Sequence, residues 1–293
     1  MLGTVEAGGT KFVCGVGNET GEIIERISIP TTIPAETMGK VFSFFRDRSV
    51  EAIGIGCFGP LDLDLNSPTY GSITSTPKTA WRMFNILKEM QREFPIPVII
   101  DTDVNAAVLA EHRWGAGKDV SHCLYLTVGT GIGGGAVVDG KVVHGLLHPE
   151  MGHILVKRHP KDTFSGNCPS HGDCLEGMAS GPAIEKRWGS KGTDLFLAHP
   201  AWELEAYYLA QALVNYIYIL SPQRLILGGG VMKQSQLFPL IRKNVLEMLH
   251  GYIDKEEILH SIDRYIVPPA LGDNAGLCGG LVLAMSGLDM HLG

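Results

Sequence analysis

The apolar positions of residues 2 to 29 fall into three short runs, "LGTVEAG", "KFVCGVG" and "EIIERISI", separated by Gly8-Gly9-Thr10 and by Asn18 to Gly21. Runs of this length with turn residues at the breaks predict a three-stranded meander whose first turn is tight. The pattern then lengthens. Residues 35 to 48 read as a helix, "EAIGIGCFG" as a buried strand ending at Gly59-Pro60, "WRMFNILKEMQREF" as an amphipathic helix, and "PVIID" as a strand feeding the helix "DVNAAVLAEHRWG". About 120 residues after the first hairpin the pattern restarts, with paired strands and a glycine turn in "HCLYLTVGTGIGGGAVVDGKVVHG", which reads as a distant duplication. Beyond it come a segment crowded with Cys and His, a long helix "WELEAYYLAQALVNYIYIL", a strand "RLILGGG", a helix near 235 to 250, a strand "RYIVPPA", and a last helix from about Asn274.

Length and charge narrow this picture. The 293 residues exceed a usual single core, so an α/β protein of two lobes with a cleft is expected, roughly 120 to 170 residues per lobe. The boundary falls near Gly115 to Val120. This gives lobes of 1–118 and 119–293, with the helix 275–288 free to cross back to the first. A net charge of -7 without a long basic run removes the footprint that nucleic acid or an anionic membrane would need, and the partner is expected to be a small molecule. Apolar stretches such as "LVNYIYIL" and "RLILGGGVM" are interrupted by Pro222, Gln223 and Arg224, short of the ~18 residues of a membrane span. With no charged leader or cleavage site at the start, a cytoplasmic location is expected. Cys14, Cys57, Cys123 and Cys278 stand alone like small buried hydrophobes, and only Cys168 and Cys174 are spaced like ligands.

Three glycine clusters suit phosphates. In "EAGGTK" two glycines, a hydroxyl and a lysine (Gly8, Gly9, Thr10, Lys11) occupy a turn where backbone amides can converge on an anion, although a plain hairpin turn would look the same. "TVGTGIGGG" repeats the arrangement with Thr130 and Gly131, and Gly228, Gly229 and Gly230 follow the strand "RLIL". Neither a Walker loop nor a dinucleotide fingerprint occurs, so ATP held between two lobes fits better than a nicotinamide cofactor. Asp103 follows "PVIID" at a helix start. It is either an N-cap or a carboxylate placed to take a proton, and Asp101, two residues earlier, is the weaker candidate.

These stretches together, "EAGGTKF", "GCFGP", "STPK", "TDVNAA", "TVGTGIGGG", "HPEMGH", "CPSHGDCLEGMASGPAI" and "LGGGV", resemble the ROK family of sugar kinases from end to end, and most closely its bacterial fructokinases. The resemblance implies an actin-like, ribonuclease H-like duplicated two-lobed fold. It assigns Gly8 to Lys11 and Thr130-Gly131 to the ATP phosphates, Gly228 to Gly230 to the adenosine side, and Asp103 to the general base. Gly59, Thr102, Asn105, Glu150, His153 and Glu176 become sugar-binding positions, and a homodimer is the usual assembly. Glu6 stands where many members have Asp, at a presumed contact with hydrated magnesium.

The spacing His153-x14-Cys168-x2-His171-x2-Cys174 supplies two imidazoles and two thiolates, a set suited to tetrahedral, structural zinc. His148 and His159 compete for a place in it, and a Cys168–Cys174 disulfide is the alternative, disfavoured in a reducing cytoplasm. Such a metal would be a zinc-binding insert shaping the sugar pocket, while magnesium carried with ATP assists the chemistry. The expectation is ATP-dependent phosphorylation of fructose. A glucose, mannose or N-acetylhexosamine kinase is the rival among enzymes. A sugar-responsive repressor would need a helix-turn-helix module ahead of Glu6, and a non-catalytic sensor would be expected to lose Asp103 or the phosphate loops.

Overall fold

The computed structural model describes residues 1–291; residues 292 and 293, the last two of the expected second lobe, lie outside the described residues. The first stretch runs β1 (Leu2–Ala7), β2 (Lys11–Gly17), β3 (Ile23–Pro30), α1 (Pro34–Arg46), β4 (Ala52–Cys57), α2 (Ile86–Glu93), β5 (Val98–Thr102) and α3 (Asp103–Trp114). The second runs β6 (Cys123–Val128), β7 (Ile132–Val138), β8 (Lys141–Val142), α4 (Leu175–Ala179), α5 (Gly181–Trp188), α6 (Ala201–Leu220), β9 (Arg224–Gly228) and α7 (Leu237–Leu249). Two short turns of helix, α8 (Glu256–Leu259) and α9 (Ile262–Tyr265), then lead to β10 (Ile266–Val267) and α10 (Ala275–His291).

Among the described residues the strands form two mixed five-stranded sheets, ordered β3-β2-β1-β4-β5 and β10-β9-β6-β7-β8. Reversed, the second order is β8-β7-β6-β9-β10, which matches the first position for position. In each sheet a hairpin opens the sequence, β1–β2 and β6–β7, and its first strand then pairs in parallel with a strand reached by a crossover, β4 and β9. A further parallel strand, β5 and β10, lies outside that one. The two hairpins of the sequence therefore open two sheets of one topology.

The chain divides into two compact units, one made of 1–118, 142–149 and Asp273 onward, the other of 119–141 and 150–272. In the first, Phe12, Phe45, Ile53, Ile55, Trp81 and Met90 are buried together. The Trp81 indole N–H donates to the Thr32 carbonyl at 2.7 Å, so its burial leaves no polar atom unpaired. On the other face of this sheet α10 places Leu281 and Ala284 against Leu2 and Ala52. Burial of a leucine side chain is worth about 1.5–3 kcal/mol. Glycines permit the close approach, because a Cβ on Gly54 would lie 1.9 Å from the Gly280 carbonyl oxygen and one on Gly279 2.1 Å from that of Ala106. In the second unit α6 buries Trp202, Tyr208, Leu209, Leu213 and Ile217 and packs against α7.

Two elements differ from the expectation. The amphipathic stretch from Trp81 becomes helical only at Ile86, because Met83 adopts a left-handed backbone (φ 58°) and Asn85 caps the helix, its side chain accepting the Lys88 N–H at 2.8 Å. The strand expected over "RYIVPPA" shrinks to Ile266–Val267, since Ile262–Tyr265 is a helical turn and Pro268 and Pro269 follow. None of the described helices is long and apolar enough to cross a membrane.

Candidate active site

At the β5–α3 junction the N-cap is Thr102, not Asp103. The buried Thr102 hydroxyl oxygen accepts the Asn105 N–H at 3.1 Å, which frees Asp103 to occupy the first helical position. Asp103 is half-buried, and its Oδ1 accepts the Val104 N–H at 2.9 Å. A carboxylate at a helix N-terminus is favoured in its charged form by the helix dipole. Beside it, burial holds the Cys57 thiol well above its ordinary range, and the Asp103 charge pushes it the same way. Cys57 is thus an inert neighbour and not a nucleophile.

Asp101 is a heavily bonded carboxylate of the junction. It is buried, its Oδ1 accepts the N–H of Thr102 at 2.7 Å and the Asn105 Nδ2 at 2.8 Å, and its Oδ2 lies 2.9 Å from His144 Nε2. The hydrogen bond that His144 donates to Asp101 raises the pKa of His144, against partial burial. The sequence carries no signal for this pairing, because the partners are 43 positions apart, with α3 and three strands between them. After Gly59, the Leu61 N–H donates to His148 Nε2 at 3.0 Å, so that histidine is committed to this loop.

Each sheet's first hairpin ends in a three-residue turn. In the first, the Gly8 N–H donates to the Lys11 carbonyl at 3.0 Å; in the second, the Gly129 N–H donates to the Gly131 carbonyl at 2.9 Å. Among the described residues the N–H groups of Gly9, Thr10, Thr130 and Gly131 bind no protein acceptor, which leaves them available to an anion. The end of the Lys78 side chain, from the "STPK" stretch, lies beside Gly9. Glu6 packs its carboxylate over Gly276 at the start of α10. Burial raises its pKa, Lys11 opposes this and Asp273 adds to it.

The second turn is held from three sides. The Gly181 N–H at the start of α5 donates to the Gly129 carbonyl at 2.7 Å, Glu176 from α4 accepts the Ile132 N–H at 3.0 Å, and Gly230 lies beside Gly129. Gly229 has φ 91°, and a Cβ there would stand 2.4 Å from the Val128 carbonyl oxygen, so the strand β9 can end against this turn only with glycine. The second unit thereby brings Thr130-Gly131 and Gly228 to Gly230 together. Glu150, exposed, precedes the single 3-10 turn Met151–His153.

His153, Cys168, His171 and Cys174 converge, with one donor atom of each within 4.8 Å of all the others. Cys168 Sγ lies 3.8 Å from His153 Nδ1 and 3.6 Å from His171 Nδ1, and Cys174 Sγ lies 3.5 Å from His153 Nδ1. Tetrahedral zinc with Zn–S ~2.3 Å and Zn–N ~2.0–2.1 Å sets sulfur and nitrogen about 3.6 Å apart, so the donor set and its spacing fit the metal. Cys168 and Cys174 are free thiols. His159 stands outside the cluster, its Nδ1 accepting the Lys161 N–H and its ring packed edge-on against Tyr207.

With this geometry in view, comparison with known proteins finds the ROK family model matching residues 2–286. A Bacillus subtilis (strain 168) protein is 56% identical over 289 residues, covering 99% of this chain and 97% of its own. A fructokinase of Pediococcus pentosaceus is 46% identical over 288 residues, covering 98% of this chain and 99% of its own. Among solved structures, a ROK family glucokinase from Streptomyces griseus in complex with glucose and AMPPNP superposes with a TM-score of 0.77 at 25% identity, covering 96% of this chain and 98% of that one.

Proposed function

The chain belongs to the ROK family, and from that premise we propose that it is a fructokinase, moving the γ-phosphoryl group of ATP to the 6-hydroxyl of fructose to give fructose 6-phosphate and ADP. The observation that carries the reading is Asp103, a half-buried carboxylate at the first position of α3, in a chain 46% identical to a fructokinase from end to end. As the sugar oxygen attacks the γ-phosphorus, Asp103 takes its proton. Its bond from the Val104 N–H orients the carboxylate beforehand.

The open N–H groups of Gly9, Thr10, Thr130 and Gly131 support their assignment to phosphate oxygens, with Gly8 and Lys11 completing the first turn and Gly228 to Gly230 on the adenosine side. Magnesium, bound with ATP, would neutralise charge across the phosphates. His153, Cys168, His171 and Cys174 would hold zinc in a closed shell that leaves no position for substrate, so its part is to fix the segment bearing Glu176. Gly59, Thr102, Asn105, Glu150, His153 and Glu176 are proposed to face the sugar. The same reading makes the working enzyme a cytoplasmic homodimer.

A glucose kinase is the second reading, favoured by the likeness to the glucose-bound glucokinase. A hexose panel with ATP separates the two: kcat/KM is expected to be highest for fructose, and a preference for glucose rejects the first reading. In the same assay Asp103→Asn, which keeps the shape but cannot accept the proton, is expected to lose ~10²-fold or more in kcat while still binding both substrates. Near-normal turnover would remove Asp103 from the mechanism.

A further inference from the structure

Asp101 holds three neighbouring donors, and that decides how Asn105 and His144 must point. Its carboxylate is acceptor-only, so the amide nitrogen of Asn105 faces it at 2.8 Å and the amide oxygen faces away. That oxygen, Oδ1, is buried and has no hydrogen-bond partner among the described residues. A buried acceptor left unpaired is costly, and a ligand hydroxyl would remove that cost. His144 is constrained from the same carboxylate. Its Nε2 is tied to Asp101 Oδ2 at 2.9 Å and lies 3.4 Å from Asn105 Nδ2, while the side chain remains 43% exposed and Nδ1 has no partner among the described residues.

We propose that His144 is a sugar-binding residue, its Nδ1 and Asn105 Oδ1 engaging neighbouring hydroxyls of the hexose, and that Asp101 is the positioning residue fixing both. The inference rests on the hexose-kinase reading above. The pair stands beside the residue that takes the proton, since Asp101 and Asn105 flank Asp103 by two residues on either side and Thr102 caps the same helix. A ring hung from one buried carboxylate and presenting its second nitrogen outward is preorganised to recognise a hydroxyl. The segment carrying it is pinned independently, because His148 accepts the Leu61 N–H four residues on. His144 is therefore not required merely to hold that segment in place.

Two measurements test this. In steady-state kinetics His144→Gln is expected to raise the fructose KM about 10-fold or more, with the ATP KM and the melting temperature nearly unchanged, and Asp101→Asn to do the same by releasing the ring. A fructose KM within twofold of wild type in both variants overturns the proposal. Independently, the imidazole nitrogen resonance of His144, assigned by its loss in the variant, is expected to shift when the wild-type protein is titrated with hexose alone. A resonance unmoved at saturating sugar also overturns it, and this arm holds even where a variant fails to fold. If the wild type phosphorylates glucose and not fructose, the fructose assignment fails, while a shift of His144 on adding glucose still upholds the sugar-binding role.

Discussion

At the residue scale Thr102 is the position expected to bear on the choice of sugar. Its oxygen caps α3, and its hydroxyl hydrogen stays free to donate, whereas many glucose-directed relatives of the resemblance carry Asn there. If that amide ordinarily bonds a pyranose hydroxyl, Thr102 leaves it unpaired at a cost of about 1–3 kcal/mol, roughly 5- to 150-fold in selectivity. Asn caps a helix at least as well as Thr, so Thr102→Asn is expected to keep the melting temperature and to raise the glucose-to-fructose ratio of kcat/KM several-fold. An unchanged ratio would show that Thr102 does not set the preference. The sequence made Asp103 visible because a strand followed by a helix start is a local pattern, whereas Thr102 was singled out by the resemblance and its capping role came from the structure. The Asp101–His144 bond was invisible to it, since the fold, not the chain, makes these two residues neighbours.

Among elements, the segment from His153 to Ala179 contains little regular structure beyond α4, and four potential ligands converge within it. Cys174 and Glu176 are two residues apart, and Glu176 grips the hairpin turn through the Ile132 N–H. Opening the metal shell should therefore loosen both. Protein as purified is expected to carry one zinc per chain. Cys174→Ser is expected to lose the metal, lower the melting temperature and raise the KM for sugar and for ATP together. Metal-free protein with unaltered kinetics would count decisively against this role. The spacing of Cys and His announced the cluster, as a ligand set must be close in sequence or brought close by the fold. Exclusion of His148 and His159 needed the structure, because each is satisfied by a backbone N–H that spacing does not reveal. Helix ends were similarly hidden: Met83 gives no hint in its side chain that its backbone turns left-handed.

For the whole molecule, the matching strand orders were half legible. Two glycine-turned hairpins announced a repeat and left the last helix open to cross back, while the return of 142–149 to the first unit depended on packing that no periodicity encodes. That three-part construction has a consequence during synthesis. The face of Leu2 and Ala52 receives Leu281 and Ala284 only after some 230 further residues have been translated, roughly 10 to 45 s at 5–20 residues per second. The second unit, confined to 119–272, has no such wait. On the ribosome the later half is thus expected to mature before the earlier one. Nascent chains arrested once residue 272 has cleared the exit tunnel should be cut by protease within 1–118 and spared within 119–272, and extension past residue 291 should restore protection throughout. Full protection of 1–118 in the shorter chains would show that the first sheet closes without α10. Otherwise the slow arrival of one helix leaves an adhesive apolar face on every growing chain, and yield in the cell should track elongation speed and the supply of factors that shield nascent chains.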